Sequence, residues 1–183
     1  MSMEEIKNHF ESEAVEYEKI ISQLIPYYTE MLEAAASIIS FDTNKEFKVI
    51  DLGCGTGTLS VEILKKFPKA KITCVDIAEN MLKIAEEKLG SSFEYINSDF
   101  NDFIFPDKYD LIVSSLALHH LLNDDDKKVF YNKIYDALNS GGVFINADVI
   151  TGSDKFLQEI YLEKCAENFI EKNVANLLHS KNV

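Results

Sequence analysis

Arginine and tryptophan are absent from the 183-residue chain, so all 18 basic residues are lysines. The missing arginines remove the planar fork that binds carboxylates and phosphates through two parallel hydrogen bonds. The 31 acidic residues give a net charge of −13, and lysines never occur in runs longer than pairs. Such a surface repels a phosphate backbone, which argues against nucleic acid as a partner.

Cysteine is also scarce, with Cys54, Cys74 and Cys165 as the full set. An odd number of cysteines without a C-x-x-C pair does not form a disulfide framework. The sequence shows no secretory leader and no apolar run of about 18 residues, the length that would suggest a membrane helix. We therefore expect a soluble protein in the reducing cytoplasm, without a membrane partner.

Glycine and proline number only 7 and 3, and no linker or internal repeat interrupts the chain. A length of 183 residues then predicts one domain over 1–183. Within it we expect a helical arm over 1–40, a central block over 45–150 and a helical C-terminal segment over 151–183.

The central block alternates short apolar runs with amphipathic segments. Strands are predicted at 47–52, 70–76, 93–97, 109–116 and 142–150. Helices are predicted at 22–40, with Pro26 near the start, and at 57–67, 79–89, 124–139 and 153–180. Asp124 is expected to cap a helix and Gly141 to stop it. This alternation predicts an α/β fold with a doubly wound parallel sheet, helices on both faces and ligands at the carboxyl ends of the strands.

A glycine-rich loop, "DLGCGTG", follows the first predicted strand and opens a helix. Gly53 and Gly55 match the first two positions of the nicotinamide fingerprint G-x-G-x-x-G, but the third position is Thr58 and the extra glycine is Gly57. The carboxylate of Asp51 at the mouth of the loop would repel a pyrophosphate and attract a cation. These features favour S-adenosylmethionine, whose sulfonium and ammonium groups are cationic, over a nicotinamide dinucleotide.

Further candidates follow the second and third strands. Asp76 has the spacing of a carboxylate that accepts hydrogen bonds from ribose hydroxyls, although it is also placed to cap the next helix. Ile77 would lie against adenine or in the core. Asp99 would accept the adenine amino group and the Phe100 backbone would meet a ring nitrogen, although "NSDFND" also suits a plain turn.

The segment "SSLALHHL" follows the fourth strand. Ser114 ends that strand at the expected ligand edge. His119 or His120 is a candidate general base or acceptor-pocket residue, with a packed histidine as the alternative. Adjacent histidines do not face one another on a helix and no third ligand is evident, so we expect no metal.

Taken in order, "VIDLGCGTGTLS", "CVDIAENML", "NSDFND", "YDLIVSSLALHHL" and "ALNSGGVF" resemble class I S-adenosylmethionine-dependent methyltransferases over residues 45–150. The resemblance implies strand order 3-2-1-4-5 and methyl transfer in line with the sulfonium, with S-adenosylhomocysteine as product. It implies that Asp51, Gly53 and Gly55 hold the methionine end, while the loop after Ser114 faces the sulfonium and a small-molecule acceptor. The segment "FESEAVEYE" resembles the lid helix of small-molecule members, which brings Tyr17 to the cofactor.

Two departures keep alternatives open. The family's final antiparallel strand pair has no counterpart, so strand five would be an exposed edge, be covered by 153–180, or pair in a homodimer. The segments "LIPYYTEML" and "KIYDALNSGG" also resemble the carboxy-S-adenosylmethionine synthase branch of tRNA wobble-uridine modification, whose cofactor calls for a cationic clamp. An inactive cofactor-binding module and a nicotinamide oxidoreductase are the remaining alternatives.

Overall fold

The computed structural model describes the backbone of residues 3–179 and the side chains of residues 3–173. The ends of the predicted arm and C-terminal segment, 1–2 and 180–183, lie outside the described residues. The strands are β1 (Lys48–Leu52), β2 (Lys71–Asp76), β3 (Glu94–Asn97), β4 (Tyr109–Ser115) and β5 (Leu138–Ala147). The helices are α1 (Met3–Glu13), α2 (Tyr17–Leu24), α3 (Tyr28–Ser37), α4 (Thr58–Lys66), α5 (Glu79–Leu89), α6 (Asp124–Ala137) and α7 (Lys155–His179).

The five strands form one sheet in the order β3-β2-β1-β4-β5, and every neighbouring pair is parallel. The predicted strand order is therefore confirmed. The carboxyl ends of β1, β2 and β4 lie side by side, with Asp51 opposite Cys74 on one side and Val113 on the other. This edge is where an open α/β sheet binds its ligand.

Both faces of the sheet are covered by apolar packing, which explains why the central strands are nearly continuous hydrophobic runs. On one face Val49 and Leu111 pack with Ile63 of α4, and on the other Ile50 and Ile112 pack with residues of α6. Alternate residues of β1 thus belong to different cores, as the two-residue period of a strand requires.

The N-terminal arm differs from its prediction. The helix predicted over 22–40 is broken at Ile25–Tyr27, and Pro26 lies in the break rather than inside a helix start. Tyr27 adopts a left-handed conformation with φ of 59°. Pro26 has no backbone N–H to continue α2, so the chain turns here and starts α3 in a new direction.

The predicted boundaries between α6 and β5 are also wrong. Asn123, not Asp124, caps α6, because its side chain accepts the backbone N–H of Asp126 at 2.9 Å. Gly141 does not stop the helix, which has already ended at Ala137; it lies inside β5 with φ of 80°. An irregularity in the β4–β5 pairing between Tyr109 and Leu111 accommodates the extra residues.

At one end of the sheet, β5 has no further strand beside it among residues 3–179. The long helix α7 packs against α2, where Asn168 donates to the carbonyl oxygen of Gln23 at 2.7 Å. None of the helices in the described part of the chain is long and apolar enough to cross a membrane.

Candidate active site

The glycine loop turns sharply between β1 and α4 because three of its residues have positive φ: Gly53 at 69°, Gly55 at 53° and Gly57 at 79°. Only glycine adopts such angles without steric cost. The backbone N–H groups of Gly53 and Cys54 both donate to the carbonyl oxygen of Val75, at 2.8 and 3.0 Å. The loop is therefore tied to the end of β2.

A side chain at Gly53 and a side chain at Gly57 are excluded for different reasons. A Cβ on Gly53 would overlap the Cβ of Ala117, which follows β4. A Cβ on Gly57 would lie 3.1–3.2 Å from Leu89 and Ala85 of α5. Gly53 therefore lets the β4 loop approach the cleft, whereas Gly57 serves the packing of α4 against α5.

Asp76 ends β2 and is held by the backbone on two sides. One carboxylate oxygen accepts the Gly55 N–H at 2.8 Å and the other accepts the Ala78 N–H at 2.9 Å. Its side chain is 7% exposed, and burial raises its pKa to about 6 although these hydrogen bonds oppose the change. Each carboxylate oxygen keeps a further acceptor position, and Asp76 lines the cleft described below, so its ribose contact stays a prediction.

Asp51 does not lie at the mouth of the loop, contrary to the expectation from sequence. It is fully buried behind the loop, where one oxygen accepts the Ser60 hydroxyl at 2.7 Å and Oδ1 has no hydrogen-bond partner. Burial raises the pKa of Asp51 to about 7, with a smaller contribution from the charge of Asp76. A buried carboxyl with an unpaired oxygen favours its neutral, protonated form.

These elements surround a cleft that encloses about 510 Å³, part of it open to solvent. We call it the cofactor cleft. Its floor comes from strand ends and its roof from α1 and α2. It is lined by Met3, Ile6, Phe10, Tyr17, Gly53, Gly55, Asp76, Ile77, Met81, Ser98, Phe100, Ser115, Leu116, Ala117 and His120. A smaller cleft of about 280 Å³ adjoins it beside Thr56 and Thr58.

The predicted site residues divide into two groups. The structure brings Gly53, Gly55, Asp76, Ile77, Phe100, Tyr17 and His120 to the cofactor cleft. It does not bring Asp51, Gly57, Asp99, Ser114 or His119 there. The side chain of Asp99 instead accepts the Asn101 N–H at 2.8 Å, as in an Asx turn.

The strand-four serine at the cleft is Ser115 rather than Ser114. Ser114 is fully buried and donates its hydroxyl to the carbonyl oxygen of Leu52 at 2.7 Å. Leu116 follows with a positive φ of 51°, which is uncommon for a bulky residue. Such strain concentrates at functional sites, and here it turns the chain over the cleft.

The two histidines occupy different environments. His119 Nδ1 lies 2.8 Å from Asp148 Oδ1, outside the cleft, while His120 lines the cleft with its ring edge-on to Phe10 at 5.3 Å between centroids. Contrary to the expectation, the two histidine rings do contact, with centroids 4.1 Å apart. Burial, followed by the neighbouring charge of His119, lowers the pKa of His120 to about 4.

The comparisons with known proteins agree on one family. A family model described as "Methyltransferase domain" matches residues 49–142. The carboxy-S-adenosyl-L-methionine synthase of Campylobacter hominis is 30% identical over 174 residues, which cover 92% of this chain and 73% of that protein. The chain belongs to the class I S-adenosylmethionine-dependent methyltransferases. S-adenosylmethionine is accordingly its cofactor, and the nicotinamide alternative is excluded.

Other relatives show how much of the family's architecture is shared. The malonyl-[acyl-carrier protein] O-methyltransferase 1 of Ilyobacter polytropus is 37% identical over 102 residues, 55% of this chain but only 37% of that protein. The solved "DhpI-SAM-HEP complex" has a TM-score of 0.68 at 22% identity, covering 86% of this chain and 70% of that one. This likeness shows the same fold.

The cleft of this family member fits the cofactor. Its lining contains the carboxylate of Asp76, the apolar side chains of Ile77 and Phe100, and the backbone of Gly53 and Gly55. The ribose, adenine and methionine contacts of these residues stay predictions. Tyr17 covers this floor from α2. Burial raises the pKa of its hydroxyl, with smaller contributions from Tyr28 and Asp76, so Tyr17 stays a neutral donor.

The sequence alone did not identify several residues that line the cleft, nor Asp148 as the partner of His119. Met3, Ile6 and Met81 are apolar positions on helices, and their spacing does not distinguish a cleft wall from a core. Asp148 was missed because the fifth strand was predicted to run to Ile150, which placed it inside the strand. In the structure β5 ends at Ala147, so Asp148 comes directly after a strand. Position at the carboxyl end of a strand is also what identified Asp76 as a candidate.

Proposed function

We propose that the chain transfers the methyl group of S-adenosylmethionine to a small-molecule acceptor. The observation that carries the proposal is the cofactor cleft itself, with a polar floor at the strand ends and an apolar, aromatic roof. The roof residues Phe10 and Tyr17 come from the segment that resembles a lid. A small or apolar acceptor suits such an enclosed site better than a macromolecule.

When bound, S-adenosylmethionine supplies a methyl group that its sulfonium already activates. The chain's own contribution is therefore placement and exclusion of water. Phe10 and Leu116 bound the cleft with apolar surface, and His120 lies among them as a neutral imidazole. For an acceptor that loses a proton, a ring nitrogen of His120 would receive it.

The charge of the chain supports the same acceptor class. The net charge of −13 and the absence of arginine disfavour a nucleic acid. Among the described residues that line the cofactor cleft and the adjoining smaller cleft, none is a lysine. An anionic acceptor would therefore find no cationic partner in the walls.

The second candidate is carboxy-S-adenosylmethionine synthesis, favoured by the coverage of the Campylobacter hominis relative. Carboxy-S-adenosylmethionine carries one carboxylate more than S-adenosylmethionine, and that carboxylate is expected to need a cationic clamp. The chain has no arginine, and the clefts have no lysine among their described lining residues. The methyl-transfer proposal therefore remains the better supported one.

Methyl-labelled S-adenosylmethionine tests the acceptor class directly. The protein is incubated with separate pools of small metabolites, tRNA and protein, and with Asp76→Ala protein as the control. We expect label only in the small-molecule pool and only with wild-type protein. Label in tRNA would contradict the proposed acceptor class. A carboxylated sulfonium detected by mass spectrometry would support the second candidate, and bound cofactor without labelled product in any pool would support an inactive module.

Once an acceptor is found, His120→Gln tests the histidine, and His119→Gln, whose ring contacts His120 from outside the cleft, measures the indirect effect. We expect His120→Gln to lower turnover about 100-fold for a proton-losing acceptor, the ordinary worth of a general base. Cofactor affinity should stay within about twofold. Unchanged turnover in His120→Gln would remove His120 from the chemistry.

We also propose that the chain forms a homodimer in which the β5 strands of two copies pair with each other. The edge position of β5 supports this, with Val143 39% exposed on the strand. A long unpaired strand edge can pair with a second copy. A monomeric mass by light scattering would reject the dimer without affecting the methyl-transfer proposal.

A further inference from the structure

The roof of the cofactor cleft contains two aromatic residues that are each followed by a glutamate. Phe10 precedes Glu11 on α1, and Tyr17 precedes Glu18 on α2. Both aromatic rings line the cleft, and they contact each other edge-on at 5.9 Å. Neither glutamate lines the cleft; each carboxylate contacts an element of the cleft floor instead.

Glu11 contacts the start of α5. Its two carboxylate oxygens accept the backbone N–H groups of Glu79 at 2.7 Å and Asn80 at 3.0 Å, and Asn80 Nδ2 donates to the Glu11 carbonyl oxygen at 3.2 Å. The residue that precedes α5, Ala78, has no side chain able to cap it. Glu11 therefore supplies from another helix the cap that α5 lacks locally.

Glu18 contacts the glycine loop and α4. One carboxylate oxygen accepts the hydroxyls of Thr56 and Thr58, both at 2.6 Å, and also pairs with Lys88. Burial alone would raise the pKa of Glu18, but the hydrogen bonds from Lys88, Thr56 and Thr58 outweigh it and lower the pKa. Glu18 is thus held in its charged form.

Apolar packing of this roof is modest. We call residues 3–24 the lid segment. Ala14 packs with Ala78 and Met81 in a small cluster, with Phe10 and Tyr17 against it, separate from the two cores that flank the sheet. Segments with few buried apolar contacts open at low free energy. Besides the packing of α2 against α7, two charge-assisted contacts, those of Glu11 and Glu18, hold the lid segment on the rest of the molecule.

The geometry points to Glu11 and Glu18 as positioning residues that hold Phe10 and Tyr17 over the cofactor, so that breaking their contacts governs cofactor exchange. Side chains of the lid segment form the roof of the cleft, which is partly open to solvent, so movement of this segment widens the route for the cofactor. Each glutamate acts through its neighbouring aromatic residue. The inference rests on cofactor binding and not on the identity of the acceptor.

The dissociation rate of S-adenosylhomocysteine tests this, because the probe binds the cofactor cleft and needs no acceptor. We expect Glu11→Gln and Glu18→Gln each to raise the rate about fivefold, the usual worth of a capping contact. The double variant should raise it about 25-fold if the contacts act independently. Glu16→Gln is the matched control and should leave the rate unchanged, because within the described part of the chain the Glu16 side chain pairs with exposed Lys19 alone.

Hydrogen exchange of the ligand-free variants adds a readout independent of the probe. Amides of the lid segment should exchange faster in the double variant, while those of β1 and β4 keep wild-type protection. Loss of protection in the strands would show general unfolding and overturn a local role. Wild-type or slower probe dissociation in the double variant would also overturn the inference.

Salt provides a test on the unmodified protein. Raising ionic strength from about 0.05 to 0.5 M screens exposed charges. It should accelerate probe dissociation from wild type, because Glu18 and Lys88 are partly exposed, and have little effect on the double variant. Equal salt dependence in both proteins would contradict the assignment.

Discussion

The floor and the roof of the cofactor cleft are built in different ways. The floor consists of strand ends whose polar groups bind backbone, as Asp76 does with the N–H groups of Gly55 and Ala78. The roof consists of two short helices that bind through side chains distant in sequence, as Glu11 does with α5 and Glu18 with Thr56. The floor is continuous with the main cores, whereas the roof packs on a separate small cluster.

Because of this difference, the floor determines how tightly the cofactor binds and the roof determines how fast it enters and leaves. A floor fixed by backbone hydrogen bonds presents the same acceptors before and after a ligand arrives, so it loses little entropy on binding. A roof attached by a few side-chain contacts can open and close. Substitutions that disturb the backbone of the floor should therefore change affinity and stability together, whereas substitutions in the roof should change exchange rates with little effect on stability.

Gly53→Ala should have the largest effect, because at this position of the floor the new side chain would both strain the backbone and overlap a packed neighbour. A side chain at a φ of 69° costs about 1–2 kcal/mol, and overlap with Ala117 adds about 1–3 kcal/mol. We expect the free energy of unfolding to fall by about 2–5 kcal/mol and S-adenosylmethionine affinity to fall more than about 100-fold. Denaturation and calorimetric titration measure the two changes.

Two matched variants separate the causes. Gly90→Ala also has a positive φ, 95°, but its Cβ would meet nothing within 4 Å, so it should cost about 1–3 kcal/mol through the backbone alone and leave binding intact. Gly53→Ala combined with Ala117→Gly removes the overlap and should recover part of the stability. No recovery in this double variant would contradict the steric explanation.

Asp76→Asn should lower S-adenosylmethionine affinity about 30- to 100-fold, since a charged acceptor of hydroxyl hydrogen bonds is replaced by a neutral amide. Asp99→Asn is the control, because that side chain forms a turn and lies outside the cleft lining. We expect a change below about threefold for Asp99. Equal losses in both variants would restore the predicted adenine role of Asp99.

The buried carboxyls predict a pH dependence that distinguishes folding from binding. The pKa values of Asp51 and Asp76 are raised to about 7 and about 6, so the folded state binds more protons than the unfolded chain between about pH 4 and 7. These groups therefore lower stability as pH rises through this window. Cofactor affinity should rise as Asp76 ionises, because Asp76 lines the cleft and a charged carboxylate accepts hydroxyl hydrogen bonds more strongly.

Asp51→Asn isolates the larger of these contributions. The variant removes a buried charge whose Oδ1 has no partner, so the melting temperature without ligand should exceed that of wild type at pH 8 and approach it at pH 5. Each unit of pKa change corresponds to about 1.4 kcal/mol. A constant difference between the two proteins across pH would contradict the assigned titration.

The fold was predictable because its signals are local. The helix predicted over 79–89 matches α5, and four strands begin and end within a residue or two of their predictions. The predictions for Asp76 and the glycine loop also depend on nothing beyond position after a strand. The errors at Gly141 and Asp51 have the same origin, since neither a pairing irregularity nor the burial of a carboxylate is visible in local sequence.

The roof was not predictable in the same way. Glu11 and Glu18 sit in a strongly acidic arm, where each resembles an ordinary solvent-exposed charge. Their partners lie far along the chain, at α5 and at the glycine loop, so only the folded arrangement distinguishes them from Glu16. The same applies to the pairing of His119 with Asp148 across adjacent strands.

The smallest expected effect compares two adjacent serines at the end of β4. Ser114 is buried and donates to Leu52, whereas Ser115 lines the cleft. Ser114→Ala should lower the free energy of unfolding by about 1 kcal/mol and leave cofactor affinity unchanged, because alanine leaves the Leu52 carbonyl oxygen without its donor. Ser115→Ala should do the reverse, with stability within about 0.5 kcal/mol of wild type and a modest change in affinity. Loss of cofactor affinity in Ser114→Ala alone would return the cofactor role to Ser114 and show that the floor is less rigid than its hydrogen bonds indicate.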